Sequence, residues 1–153
     1  MGDNSGPSLF LDANILFSAA HDPESRSAAL ITLAKPAAVE LITSAYAKEE
    51  ARRNLELKRP AALVEFSRLL RLIRTAQEAP LPLVEHVTRQ YRLPDHDAPI
   101  LAAAIHAKAE HLVTGDRTHF GHLMDRQTPG LAVQVFSLAK AFQLLASRAL
   151  KSE

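Results

Sequence analysis

Four acidic residues, Asp12, Glu50, Asp97 and Asp116, are the side chains of this sequence best placed to do chemistry together. Each of them lies where an apolar segment meets a polar one, and all but Glu50 lie at the end of a predicted strand or the start of a predicted helix. Carboxylates gathered at one edge of an α/β sheet repel one another, and a bound divalent cation is the usual reason that a fold tolerates them. Because the chain has no Cys, any metal ligands must be oxygen or imidazole nitrogen. The pattern predicts a site for Mg²⁺ or Mn²⁺.

Each acid taken singly also has a purely structural interpretation. Asp12 and Asp97 are suited to cap helix N-termini, and Asp116 follows Gly115 as a turn former would. Glu50 lies within a predicted helix, where an ion pair with a residue four positions along is ordinary. The residues alone leave these alternatives open, although four acids at equivalent positions argue for a shared role.

Short apolar runs alternate with segments of helical periodicity along the chain. The predicted strands are 9–11, 39–43, 112–114 and 131–136, and the predicted helices are 25–34, 45–58, 61–74, 83–91, 97–109 and 137–150. The last turn of helix 61–74 is also compatible with extended chain. Strands that alternate with helices favour parallel pairing. The sequence therefore predicts the α/β class, as a three-layer α/β/α sandwich with a central, mainly parallel sheet.

Length and composition predict one domain. The chain has 153 residues and 47% hydrophobic residues, enough for a single core. We expect a domain over residues 8–147, with flexible ends at 1–7 and 148–153. The sequence contains no apolar run long enough for a membrane span and no secretion signal, which predicts a cytoplasmic protein without membrane contact. A net charge of +1 does not by itself indicate nucleic-acid binding.

Three motifs resemble the PIN-domain family of metal-dependent ribonucleases. They are LDAN at Asp12, TSAYAKEEARRNL around Glu50, and DAPILAAAIHAKAEHLVTGDRTHF over residues 97–120. The resemblance runs from about residue 9 to residue 145, and the third motif is its most specific part. A single-domain chain of this kind is similar to VapC-like toxins of type II toxin-antitoxin pairs.

The resemblance implies a set of site residues. Asp12, Glu50, Asp97 and Asp116 would be both the catalytic and the metal-binding acids, with Asn14, Ser44, Thr114 and His119 in support. Glu50 is preferred to Glu49 because its spacing to the flanking residues fits the family pattern. The family often carries a further Asp just after Thr-Gly-Asp, where this chain has Thr118 and His119, so the number of metals stays open.

The implied reaction is hydrolysis of RNA phosphodiester bonds with Mg²⁺ or Mn²⁺ as the only cofactor. Arg52, Arg53 and Lys58 follow Glu50, and Arg117 follows Asp116, which places them to bind RNA phosphates; solubility explains the same pattern equally well. The seven His residues show no third ligand at a familiar zinc spacing.

Partners and alternatives follow from the same resemblance. An antitoxin protein and a homodimer are the expected partners besides RNA, the dimer because two predicted helices carry apolar stripes. The main alternative is a catalytically inactive PIN-like domain that binds RNA or a partner, suggested by the missing Asp after Asp116. A phosphatase or receiver domain is disfavoured, because Asn14 stands where the phosphatase pattern needs a second Asp.

Overall fold

The computed structural model describes residues 6–151 and contains a five-stranded parallel sheet. The strands are β1 (Ser8–Leu11), β2 (Glu40–Ser44), β3 (Arg74–Ala76), β4 (His111–Val113) and β5 (Gln134–Phe136). Their order across the sheet is β3-β2-β1-β4-β5, and each neighbouring pair is parallel. Of the predicted flexible ends, residues 1–5 and 152–153 lie outside the described residues.

Helices connect the strands. They are α1 (Ala13–His21), α2 (Arg26–Ala34), α3 (Ala45–Lys58), α4 (Leu63–Leu70), α5 (Leu81–Gln90), α6 (Ala98–His106), α7 (Arg117–Phe120) and α8 (Leu138–Lys151), with a short 3-10 turn at Pro60–Ala62. Three of these helices begin at serine caps. Ser25, Ser44 and Ser137 each accept a hydrogen bond from the backbone N–H three residues later, which satisfies a donor that the first turn leaves unpaired.

The central strand shows that both faces of the sheet are covered. Leu9, Phe10 and Leu11 are all fully buried, although successive side chains of a strand point to opposite faces. Helix α6 contacts β2 and β4, and its buried alanines let it approach the sheet closely. The predicted α/β sandwich with a parallel central sheet is confirmed.

The structure departs most from the sequence prediction at the end of helix 61–74 and at helices α1 and α7. The predicted helix 61–74 ends early, because α4 stops at Leu70 and Arg74–Ala76 form the edge strand β3, so the alternative of extended chain holds at its end. Ile73 lies in the turn between α4 and β3 and is buried. Because it continues the apolar spacing of α4, the periodicity alone does not show where the helix ends and the strand begins. Helices α1 and α7 were not predicted as elements, although the alternative interpretation of Asp12 was a helix cap. Asp12 and Asp116 each cap the helix that follows them.

Within residues 6–151, no helix combines the length and the apolar character needed to cross a bilayer. The last helix, α8, continues through residues 148–151, part of the predicted C-terminal tail.

Candidate functional site

All four predicted acids line one cleft of about 610 Å³, called the acidic cleft below. Asp12 directly follows β1, and Asp116 lies just beyond β4. Glu50 projects from α3, which follows β2, and Asp97 lies at the start of α6. The carboxyl ends of parallel strands meet at one edge of a sheet, so this topology brings acids from four distant segments to the same place.

Asp12 is the buried carboxylate of the acidic cleft. It is 3% exposed and accepts hydrogen bonds from the Thr114 hydroxyl at 2.7 Å, the Asn14 side-chain amide at 3.0 Å and the Ala13 backbone N–H at 2.7 Å. Burial raises the pKa of Asp12 from its usual 3.8 to about 6, although the hydrogen bonds from Thr114 and Ala13 oppose the change. The negative charges of Asp97 and Glu50 raise this pKa further.

Thr114 joins the loop after β4 to the loop after β1. Besides donating to Asp12, its hydroxyl oxygen is 3.2 Å from the Asn14 amide nitrogen and accepts from the backbone N–H of Asp116 at 3.1 Å. The Asn14 side-chain oxygen in turn accepts from the Gly115 N–H at 3.0 Å. Thr114 and Asn14 thus hold two of the acids, Asp12 and Asp116, in a defined relation.

His119 lies between two of the acids. Its ring Nδ1 is 2.7 Å from Asp116 Oδ2 and 3.0 Å from Asp97 Oδ2. Asp116 also caps α7, because its Oδ1 accepts from the His119 backbone N–H at 3.0 Å. The hydrogen bond with Asp116 raises the pKa of the His119 imidazole, and the charges of both acids add to this effect.

Asp97 is a buried acid with an unsatisfied oxygen. Its Oδ2 is buried and makes no hydrogen bond of good geometry, despite lying 3.0 Å from His119 Nδ1 and 3.4 Å from His96 Nε2. Burial raises the pKa of the Asp97 carboxyl, while the two imidazoles lower it. A buried oxygen without a partner is costly unless another group satisfies it.

The adjacent glutamates of α3 have different surroundings. Glu50 is half-buried and lines the acidic cleft, and burial followed by the charge of Asp97 raises its pKa. Glu49 is exposed and pairs with Arg52 at 2.7 Å and Arg53 at 3.8 Å. The predicted supporting residue Ser44 is fully buried and caps α3, so its contribution is to position the helix that carries Glu50.

The predicted basic residues are not all at the cleft. Arg117 lines it, and the charge of Arg53 acts on Glu50. Arg52 is held in surface ion pairs with its own helix, and the Lys58 ammonium lies 5.5 Å from the centre of the Phe17 ring. These contacts hold the side chains of Arg52 and Lys58 at the surface of α3.

Arg26 lines the acidic cleft but was missed by the sequence reasoning. It is the first residue of α2 and belongs to no acidic motif. Its place depends on the packing of α2 against α1, which begins at Asp12. The local sequence carries no signal that distinguishes Arg26 from an ordinary solvated arginine.

The fold and the cleft define an α/β domain that gathers carboxylates at the carboxyl edge of a parallel sheet. Residues 8–118 match the family model described as the PIN domain. The chain belongs to the PIN-domain family, as its motifs predicted, and PIN domains are generally nucleases.

Solved structures share this fold at low sequence identity. VapBC2 from Rickettsia felis, bound to a DNA fragment from their promoter, aligns with a TM-score of 0.63 and 17% identity over 84% of this chain and 98% of that one. PAE2754 from Pyrobaculum aerophilum aligns with a TM-score of 0.61 and 20% identity over 95% and 98%. FitAcB from Neisseria gonorrhoeae aligns with a TM-score of 0.56 and 19% identity over 86% and 98%. No curated protein matches the sequence significantly.

Proposed function

We propose that this chain is a cytoplasmic, metal-dependent endoribonuclease and the toxin of a toxin-antitoxin pair. The observation that carries the proposal is the convergence of Asp12, Glu50, Asp97 and Asp116 on one cleft in a PIN domain. We assign these acids as the catalytic and metal-binding residues. Asn14, Ser44, Thr114 and His119 support them by holding them in position.

The acids fit a hard divalent cation, Mg²⁺ or Mn²⁺. Asp97 Oδ2 is buried without a hydrogen bond, and the pKa of Asp12 is raised partly by the neighbouring negative charges. Both features carry a cost that a cation would offset. When bound, such an ion makes a water molecule more acidic and neutralises charge on the phosphate that the water attacks.

The chain's own residues position the reacting groups. Thr114 and Asn14 keep Asp12 and Asp116 oriented, so neither acid must reorganise when a substrate enters. His119, in contact with Asp116 and Asp97, is suited to move a proton at the edge of the site. The products expected from the family resemblance carry a 5′-phosphate and a 3′-hydroxyl.

The substrate we propose is RNA, and arginines flank the route to the acids. Arg117 and Arg26 both line the cleft, one from α7 and one from α2. Their guanidinium groups can bind phosphates and so offset the repulsion between RNA and the acids. Arg53 is a secondary candidate for binding RNA phosphates. Arg52 and Lys58 are weaker candidates, because Arg52 forms ion pairs and the Lys58 ammonium contacts an aromatic ring.

An antitoxin protein and a second copy of the chain are the proposed partners. The VapC-like motifs and the fold likeness to VapBC2 and FitAcB support an antitoxin. The homodimer is supported by exposed apolar side chains on two neighbouring helices, Leu57 of α3 and Val64 of α4, which are 82% and 80% exposed. Sedimentation of the purified chain measures the dimer directly.

A matched pair of substitutions in α3 tests the activity. Glu50→Gln should abolish Mg²⁺- or Mn²⁺-dependent cleavage of single-stranded RNA, whereas Glu49→Gln, one residue away on the exposed face, should leave it intact. Asp97→Asn and Asp116→Asn should likewise abolish cleavage. Undiminished cleavage by the Asp97 and Asp116 variants would contradict the proposal.

The alternative is a PIN domain that binds RNA or a partner without cleavage. One observation favours it: an imidazole, rather than a further carboxylate, lies against Asp97 and Asp116. Binding of RNA by the wild-type chain at millimolar Mn²⁺, with no cleavage and no effect of the metal, would favour this alternative.

A further inference from the structure

We propose that His96, Asp97 and His119 form a mixed imidazole–carboxylate metal site that selects Mn²⁺ over Mg²⁺. This inference rests on the proposed function in one respect, since it places the ion in the same acidic cleft. It goes further by making two histidines ligands of the ion and by assigning them the choice of metal.

The geometry of the three side chains suits a single ion. One possible ligand atom from each residue lies within 4.8 Å of the other two. Asp97 Oδ2 is 3.0 Å from His119 Nδ1 and 3.4 Å from His96 Nε2. Two ligands about 2.1 Å from a common ion lie about 3.0 Å apart at a right angle and about 3.4 Å apart at the tetrahedral angle. The observed spacings therefore fall within those of neighbouring ligands.

The unpartnered oxygen of Asp97 is an independent sign of a missing ligand. Asp97 is 5% exposed, and its Oδ2 has no hydrogen-bond partner although two ring nitrogens are close. The rings of His96 and His119 meet edge to face with their centroids 5.4 Å apart, which leaves their nitrogens directed toward the same carboxylate. An ion among these atoms would satisfy the oxygen.

The donor set determines which ion is preferred. Mg²⁺ requires near-ideal octahedral geometry, favours oxygen ligands and retains several waters, whereas imidazole nitrogen suits transition-metal ions. This chain has His119 where the family often has a further Asp. An imidazole beside Asp97 and Asp116 therefore weakens the binding of Mg²⁺ more than the binding of Mn²⁺.

Two measurements on the full-length chain test this site without an activity assay. Pulsed electron paramagnetic resonance of the Mn²⁺-loaded protein should detect coupling to ¹⁴N of coordinated imidazole. Calorimetric titrations of the metal-free protein should give a lower Kd for Mn²⁺ than for Mg²⁺. In His119→Asp the preference for Mn²⁺ should fall about tenfold, as expected for the loss of an imidazole ligand.

Variants separate the ligand role from folding. His119→Asn removes the imidazole without adding charge. Both His119→Asn and His119→Asp keep the backbone N–H that donates a hydrogen bond to Asp116. Combining His96→Gln with His119→Asn should abolish the ¹⁴N coupling. His86→Gln, in an exposed histidine of α5 outside the cleft, is the matched control and should change neither measurement.

The outcomes distinguish this inference from the proposed nuclease. Mn²⁺ binding with ¹⁴N coupling but without RNA cleavage would support the site and contradict the nuclease proposal. Absence of ¹⁴N coupling in the Mn²⁺-loaded wild type, or an unchanged metal preference in both His119 variants, would overturn the site even if the chain cleaves RNA with Mg²⁺.

Discussion

Replacing Asp12 by Asn should make the metal-free protein less stable at acidic pH and more stable at neutral pH. The folded-state pKa of Asp12 is about 6, above its usual 3.8. Between these values the folded chain holds a proton that the unfolded chain has released, so the free energy of unfolding falls as pH rises through this window. The free energy of unfolding falls by about 3 kcal/mol in total. The whole loss is present above the pKa of the folded state, and none of it is present well below the pKa of the unfolded state.

The magnitude for Asp12→Asn follows from its hydrogen bonds. Asn cannot ionise, so the variant avoids the loss of about 3 kcal/mol at neutral pH. It keeps an acceptor for the Ala13 N–H but turns a donor toward the Asn14 amide, a conflict that costs about 1 kcal/mol. We expect the variant to be about 0.5 kcal/mol less stable near pH 4, where the wild type has already lost about 0.5 kcal/mol, and about 2 kcal/mol more stable near pH 7.

Urea unfolding in a chelator, followed by far-ultraviolet circular dichroism from pH 4 to pH 7.5, measures this difference. The control is Asp95→Asn, an exposed acid whose substitution should give little change at any pH. Added Mn²⁺ should stabilise the wild type more than the Asp12→Asn variant, because the ionised carboxylate is the better ligand. A stability difference that does not change with pH would refute the argument that burial raises this pKa.

Four further substitutions test separate parts of the site. Thr114→Val removes the buried hydroxyl that donates to Asp12 at 2.7 Å and should cost about 1–3 kcal/mol in urea unfolding; an unchanged midpoint would show that the network contributes nothing to stability. Arg26→Ala and Arg117→Ala should each weaken the binding of single-stranded RNA in a chelator, measured by fluorescence anisotropy. Each should also make the slope of the logarithm of the binding constant against the logarithm of the salt concentration shallower by about 0.7. An unaltered slope would exclude contact between that arginine and a phosphate. Gly115→Ala should change stability by less than about 0.5 kcal/mol, since the added carbon would lie 3.6 Å from the nearest side-chain oxygen; a large loss would contradict this account of the turn.

The fold was largely predictable because its signals are local. Helix α3 begins and ends where the sequence predicted, at Ala45–Lys58. The errors occurred where one residue served two purposes or where spacing crossed an element boundary. Asp12 both lines the cleft and begins α1, and Ile73 continues the period of α4 into the turn before β3.

The sequence by itself determined the types of acid, their order and the position of Asp12 and Asp116 after strands, because these depend on neighbouring residues and on the family's motifs. The family spacing already favoured Glu50 over Glu49, but only the tertiary structure decided that Arg26 reaches the cleft and that His119 lies against Asp97. These distances depend on how α2, α3, α6 and α7 pack around the sheet. Hydrophobic burial sets that packing, which is a property of the whole core and of no single motif.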